Sequence, residues 1–488
     1  MQGRKVYQEK LFVNFQLSAH VPEDNLYRRI LGLVDFEYLY KLTSPYYGKE
    51  GQKSIDPVVF MKFMLVGYLE NINSDRRIIE VSKLRLDILF FLGYDLGESL
   101  PWHSTLSRTR DLYGQEVFTS MFQTILAQCI DRGMLSGKRQ AIDGFFIKAN
   151  ASLDNMVRRD ILEDGRRYAR ELEDNVESPC PATVELPEKK APHSGLSPKK
   201  NPSNQTHVNP HDADAKMSVK PGKATALNYL GEISVDTASH VITHVQAFTA
   251  EKRDSQCLPE VVDGLIENLS VKGLSVDETL ADKGFSSGEA LRSLEKHGIT
   301  GYIPNRGQFV YERKGFIYDG QQDSYRCRNN KKLPFKGLSG YTNREYRTGR
   351  GDCKGCPLQS MCEGYSPRNK CGIVRTSVDK PYYDRMHLRM QGRKARAMMR
   401  IRQSTVEPVI GSLVNYFGMK KVNTIGLQQA NKCLTMSGAA YNLKKLAKYI
   451  SSQRRRAIAQ TKRVPDKLLP GQIAILFARN TPVKMPIS

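Results

Sequence analysis

The chain has no apolar run long enough to cross a bilayer. Its most hydrophobic stretch, Val58 to Leu69, is interrupted by Lys62 and falls well short of the roughly 20 residues a spanning helix needs. No membrane partner is therefore expected. Met1 to Glu9 lacks the apolar segment of a secretion signal, which predicts a cytoplasmic location. Phosphate-binding and dinucleotide-binding glycine motifs are missing too, and Gly284 and Gly411 stand alone. Acidic residues are in short supply: 51 Asp plus Glu face 74 Lys plus Arg, a net charge of +23. An enzyme of small metabolites seldom needs such an excess. A polyanionic partner does, because neutralising each phosphate releases counterions. A ribosome-associated or merely basic protein would share the excess. In a reducing cytoplasm the nine cysteines point to metal rather than disulfides.

Its 488 residues suit two to four domains. Residues 1–135 read as helical and as a DNA-contacting unit. Asp56-Pro57 opens one helix, with Asp as cap and Pro at the first position, and Val58, Met61, Leu65 and Leu69 follow at helical spacing. A second helix is predicted from Asp75 past Leu86, and another from Glu116 to Arg132. An ordinary helical bundle fits the same pattern. Residues 136–304 alternate strands and helices in the order strand, hairpin, helix, strand, helix, strand. The strands and hairpin begin with Gln140–Ile147 and then Glu232–Asp236 turning into Val241–Phe248. The stretch 173–221, with Pro179, Pro181, Pro187, Pro192, Pro198 and Pro202, reads as a flexible insertion. Residues 305–380 read as an irregular, cysteine-bearing insertion, 381–450 as mostly helical, and 451–488 as a basic tail.

Three carboxylates stand out. Asp143 sits among apolar strand neighbours, where a carboxylate is costly unless it is paired or binds a cation. Asp282 ends a second short strand, Glu278-Thr-Leu-Ala281. Singly, each reads equally as an ordinary turn or strand-end Asp. Glu407 is the only acid between Asp384 and Asp466, in a segment crowded with Arg393, Lys394, Arg396, Arg400 and Arg402. A helical Glu is usually just solvated, but a lone acid in a basic segment also suits a metal site beside a phosphate backbone. Three carboxylates suit phosphoryl transfer. Two divalent ions about 4 Å apart clamp the attacking and leaving oxygens, and Mg2+ (or Mn2+) takes oxygen ligands. Asp254, just after the hairpin, is a reserve candidate for the second carboxylate.

Cys327, Cys353, Cys356 and Cys362 form the second constellation. Cys353-x2-Cys356 has knuckle spacing, and four thiolates would close a tetrahedral structural Zn2+ site. Cys371 is a substitute for one of them, and reduced cysteines in a loop are the alternative. Cys129, Cys180, Cys257 and Cys433 are isolated. His211-Asp-Ala-Asp214 is a weaker ligand cluster, and His103 beside Trp102 a weaker DNA contact.

Five segments in order carry a family resemblance. They are Ser54-Ile-Asp-Pro-Val-Val-Phe-Met-Lys-Phe63, His103-Ser-Thr-Leu-Ser-Arg108, Ala141-Ile-Asp-Gly144 running on through Lys148-Ala-Asn-Ala-Ser152, Leu280-Ala-Asp-Lys-Gly-Phe-Ser286, and Val406-Glu-Pro-Val-Ile-Gly411. Together they resemble the DDE transposases of bacterial insertion sequences, in the group with a helical N-terminal domain and a cysteine-bearing insertion. The resemblance implies an α/β fold with an RNase H-like mixed-sheet core. It implies metal binding by Asp143, Asp282 and Glu407, cleavage at transposon ends, and joining to target by a 3′-hydroxyl. Its partners would be double-stranded DNA, as transposon ends and target, and a second copy of the chain on that DNA. The DNA-binding candidates are Arg108, Arg393, Lys394, Arg396, Arg400, Arg402, Lys420 and Lys421. In many relatives a Tyr, an Arg and a Lys flank the Glu at positions that fall here on Arg400, Gln403 and Val414. That departure keeps two alternatives open: a metal-dependent nuclease that does not join, and a transposase-derived DNA-binding protein without catalysis.

Overall fold

The structure is a computed structural model. It describes residues 15–48, 50, 54–174, 202–219, 224–306, 309–340 and 342–461.

Helix α1 (Pro57–Leu69) starts as its sequence dictates: the Asp56 carboxylate accepts from the Val58 and Val59 amides at 2.7 and 3.1 Å, with Pro57 at the first turn. It is buried nearly all round, so it is a core helix. Helix α2 (Asp75–Leu84) stops sooner than its apolar pattern suggests. Arg85 is extended there, because its guanidinium holds Glu70 on one side and Asp87 on the other. Helices α3 (His103–Leu112) and α4 (Gln115–Asp131) follow.

The central sheet contains β1 (Arg139–Lys148), β2 (Lys216–Ser218), β3 (Ala226–Asp236), β4 (Ile242–Thr249), β5 (Glu278–Leu280) and β6 (Thr300–Tyr302). Its order is β4-β3-β1-β5-β6, with β2 sharing the outer edge of β3. The β1–β3 and β3–β4 pairs are antiparallel, whereas β1–β5 and β5–β6 are parallel. Three antiparallel strands followed by two parallel ones, with the first strand central, is the RNase H-like arrangement. Helix α5 (Asp254–Ser270) makes the crossover before β5, and α6 (Gly288–Lys296) the one before β6.

Strand alternation gives the sheet two faces. Ala141, Phe145 and Ile147 join the core that also takes Phe60 of α1 and Phe118 and Ile125 of α4. The N-terminal helices therefore share one hydrophobic core with the sheet. Ile142 and Leu230 face the other way, onto Leu258 and Val261 of α5 and Leu291 and Leu294 of α6.

Two segments differ from their sequence reading. Within 173–221, residues 202–219 are folded onto the sheet edge as β2 and its lead-in. Polar side chains do the work of a core there: buried Asp212 accepts from the Tyr229 hydroxyl at 2.5 Å and from the Ala215 amide at 3.1 Å. Asp214 likewise accepts from the Leu427 amide at 2.9 Å, which accounts for the His211–Asp214 cluster structurally. The proline-bearing residues 175–201 lie outside the described residues.

Residues 305–380 are not irregular. They form a second sheet of β7 (Phe316–Asp319), β8 (Ser324–Cys327), β9 (Lys332–Ser339), β10 (Asn343–Arg347), β11 (Tyr365–Ser366) and β12 (Cys371–Ser377), ordered β11-β12-β10-β9-β8-β7. Five of these six strands give one large apolar side chain each to a small core of Phe316, Tyr325, Leu333, Tyr346 and Val374. Strands that short carry too little alternation to be read from sequence. Helices α7 (Lys380–Gln391), α8 (Arg393–Tyr416) and α9 (Leu427–Thr461) complete the fold. No helix among the described residues is long and apolar enough to cross a membrane.

Candidate functional site

The register of the parallel β1–β5 pair decides the site. Ala141 lies opposite Leu280, so the same register carried two residues on brings Asp282 beside Asp143. Asp282 leaves the strand at the start of a short turn and accepts from the Gly284 amide at 2.6 Å. Asp143 accepts from the Gly144 amide at 3.0 Å.

Helix α8 crosses the Asp143 side of the sheet on buried Val406, Val409 and Leu413. This places Arg402 over Asp143. Its Nη2 donates to Asp143 Oδ2 at 3.0 Å, and its Nη1 stands 4.0 Å from Glu407 Oε1. The Arg402 side chain is 12% exposed, against 54% for that of Glu407. Asp143 and Glu407 therefore come together through one guanidinium, which occupies the space between them. Among the described residues no three His, Cys, Asp or Glu side chains stand ready to hold a metal ion.

More acid gathers here than sequence showed. A side chain at Gly284 would put its Cβ 2.7 Å from Asp254 Oδ2 and 2.8 Å from Asp282 Oδ1, so those two carboxylates share one small space. Glu232 of β3, directly opposite Gly144 of β1, is fully buried. Burial pushes the Asp143 carboxyl up to about 6; Arg402 opposes the rise, and Asp282 and Asp254 add to it. Burial likewise raises Glu232 well above the carboxylate range, helped by Asp254, Asp143 and Asp282. Carboxyls raised this far stay protonated unless a cation stands beside them, and Arg402 is one that the fold sets against Asp143. Glu232 could not be found by sequence reasoning, because only the β1–β3 register sets it behind Gly144.

The basic candidates divide into two sets. Arg393, Arg396 and Arg400 are exposed at helical spacing on α8, in line with Gln403 and Glu407. Arg108, Lys420 and Lys421 are exposed as well. Lys394 instead pairs with Glu278 at 2.5 Å over the Tyr302 ring, and Arg402 is turned inward onto Asp143. Sequence reasoning also missed a cleft of about 700 Å³ between β7, β8 and α7, lined by Tyr311, Arg313, Tyr318, Arg326, Arg328 and others. Tyr318 and Arg326 come from short strands, and Tyr311, Arg313 and Arg328 from the segments beside them.

In the second sheet, Cys327, Cys353, Cys356 and Cys362 all line one cavity of about 30 Å³. The Lys331 amide donates to Cys327 Sγ at 3.4 Å and Asn329 Nδ2 to Cys356 Sγ at 3.5 Å. Cys371 is buried on β12 outside that lining. Cys129, Cys257 and Cys433 are separate and buried, and Cys180 lies outside the described residues.

Comparison with known proteins gives two family matches. Residues 15–112 match the family described as a transposase domain (DUF772), and residues 326–447 match the transposase DDE domain. No curated protein matches the chain. Among solved structures, the chain is similar to a piggyBac transposase synaptic complex with hairpin DNA, at 10% identity and a TM-score of 0.30, over 95% of this chain and 86% of that one. It is also similar to a Mos1 transposase paired-end complex with left transposon end, at 9% identity and a TM-score of 0.16, over 54% of this chain and 63% of that one. A Mos1 mariner paired-end complex with Mn is similar at 11% identity and a TM-score of 0.16, over 56% of this chain and 65% of that one. The chain thus carries a segment matching a transposase domain at its helical N-terminal end and a segment matching a transposase DDE domain across Glu407.

Proposed function

We propose that the protein cuts DNA at transposon ends and joins them to target DNA, using Mg2+ or Mn2+ held by Asp143, Asp282 and Glu407. The observation that carries this reading is that buried Asp143 on β1 and exposed Glu407 on α8 meet at one guanidinium, with Asp282 after β5 in register beside Asp143. Oxygen donors in that number suit hard divalent cations. Once bound, such ions activate the attacking water or 3′-hydroxyl and stabilise the departing 3′-oxygen. Asp143 and Asp282 would hold them from the sheet, and Glu407 from the exposed side of α8. Arg402 would first have to leave Asp143, and phosphate is a ready partner for a displaced guanidinium. The stripe Arg393–Arg396–Arg400 would track the DNA backbone toward Glu407, and Arg108, Lys420 and Lys421 would add contacts. Lys394 serves Glu278 instead. Two ends must be handled together, so the working form is at least a homodimer on double-stranded DNA.

The four cysteines lining one cavity support a structural Zn2+ in the second sheet, which would have to draw together thiols that are not arranged around a metal position in this structure. A second reading follows from Arg402: a chain whose arginine permanently fills the metal position would bind transposon ends without catalysis. Incubating the protein with a pre-cut transposon end, target DNA and Mg2+ decides among the readings. Joined product is expected, and lost in Asp143→Asn. Cleavage without joining would indicate a nuclease, and binding without either would indicate the silent protein.

A further inference from the structure

The acidic cluster is deeper than three residues, and its buried half faces away from Arg402. Strand pairing sets Glu232 opposite Gly144, on the α5 face of the sheet, while Asp143 points to the α8 face. A Cβ at Gly144 would lie 2.7 Å from Glu232 Oε1, so the carboxylate fills the space that a side chain there would take. Glu232 is 0% exposed. Its carboxyl leans on that of Asp254, and apart from that acid no group donates to either of its oxygens. Asp254, first residue of α5, is only half-buried and shares the space beside Gly284 with Asp282. Arg402 cannot serve this half, because it is spent on Asp143 and Glu407.

An acid buried against a second acid, which opens toward a third, is an expensive arrangement for a fold to keep charged. Burying a carboxylate costs several kcal/mol unless it is compensated. A neutral residue of Glu232's size would pack there without that penalty. A divalent cation at the mouth offsets it, since its field acts on all three carboxylates at once.

We propose that Asp254 and Glu232 belong to the metal site: Asp254 holds a divalent cation together with Asp282, and Glu232 is the buried positioning carboxylate behind Asp254. The inference rests on the reading of Asp143, Asp282 and Glu407 as metal-holding residues, and enlarges that site to five acids. The cation pair is then shared between two halves of the sheet. Asp143 and Glu407 serve the α8 side, Asp254 and Glu232 the α5 side, and Asp282 stands between them.

The test is Mn2+ binding by the full-length protein without DNA, read by electron paramagnetic resonance of free Mn2+ and by calorimetry. The parent, Glu232→Gln, Asp254→Asn and Asp143→Asn are compared. The parent is expected to bind more than one Mn2+, with Asp254→Asn losing one of them. Glu232→Gln keeps size and a hydrogen bond to Asp254, so a structural role alone would leave Mn2+ binding unmoved; a drop in affinity of about tenfold or more is expected. If Glu232→Gln does not fold, Asp254→Asn decides, since it sits at the accessible mouth. Unchanged affinity and stoichiometry in the variants, with Mn2+ lost from Asp143→Asn, overturns this inference alone. A parent that binds no Mn2+ overturns the metal site as a whole, and this inference with it.

Discussion

Arg402 is the residue on which the site turns. Its 3.0 Å contact with Asp143 opposes the rise that burial imposes on that carboxyl, and it stands where the proposed cation would sit. Removing it frees the position but strands the acid. Arg402→Met is therefore expected to bind Mn2+ at least about tenfold more tightly, and to lose about 3 kcal/mol of stability in EDTA, the usual cost of breaking a buried pair. Calorimetry with and without Mn2+ reads both effects, and weaker binding would show that Arg402 supports the metal rather than excluding it. Asp143 adds a pH signature. Its folded carboxyl sits at about 6 against an ordinary 3.8, so the folded protein keeps a proton that the unfolded chain has released. This group's favourable contribution is present below pH 3.8 and is lost as pH rises through about 6, by about 3 kcal/mol in total. In metal-free protein the stability advantage of Asp143→Asn over the parent should grow across that window and then level off. The parent's Mn2+ affinity should fall below pH 6, where protons compete. A pH-independent difference in urea melts would contradict the assignment.

At the scale of elements, the readable signals were those that live in one segment. The Asp56-Pro57 cap, the β3–β4 hairpin around Asp236 and the apolar stripe of α8 each state their structure locally, and the strand and helix order of the core follows from them. Asp143 and Asp282 were visible because each ends or interrupts an apolar strand. Glu232 and Arg402 were not. Glu232 looked like the first residue of a hairpin strand until the register with β1 set it behind Gly144, and Arg402 looked like one more member of a basic run until the packing of Val406 and Val409 turned it inward. The second sheet escaped for a different reason: its strands pair at close range but each contributes too few apolar residues to mark itself. On the proposed reading, Zn2+ held by its four cysteines would supply what that small core lacks. A chain purified without chelator should carry about one Zn2+, and Cys356→Ser should lose it and unfold the second sheet selectively. Metal analysis with hydrogen exchange over 316–377 follows both; a zinc-free parent with the same protection in that sheet would rule the metal out.

Over the whole molecule, the +23 charge is organised rather than spread. The exposed arginines of α8 run toward Glu407, so the proposed DNA path and the acidic site would share one helix. Substituting Arg393, Arg396 or Arg400 with Ala should weaken end binding and reduce the slope of log affinity against log salt by about 1 each. Lys394→Ala, already committed to Glu278, should leave the slope unchanged. Equal effects at all four positions would mean that the stripe does not track the backbone. The central claim is that carboxylates from β1, the end of β5 and α8 hold divalent cations for chemistry on DNA. Anomalous diffraction at the manganese edge, from crystals grown with Mn2+ and a pre-cut transposon end, tests it most directly. Manganese in contact with Asp143, Asp282 and Glu407, with Arg402 moved onto phosphate, is the predicted result. Arg402 still on Asp143, with no manganese among the three carboxylates, would contradict it.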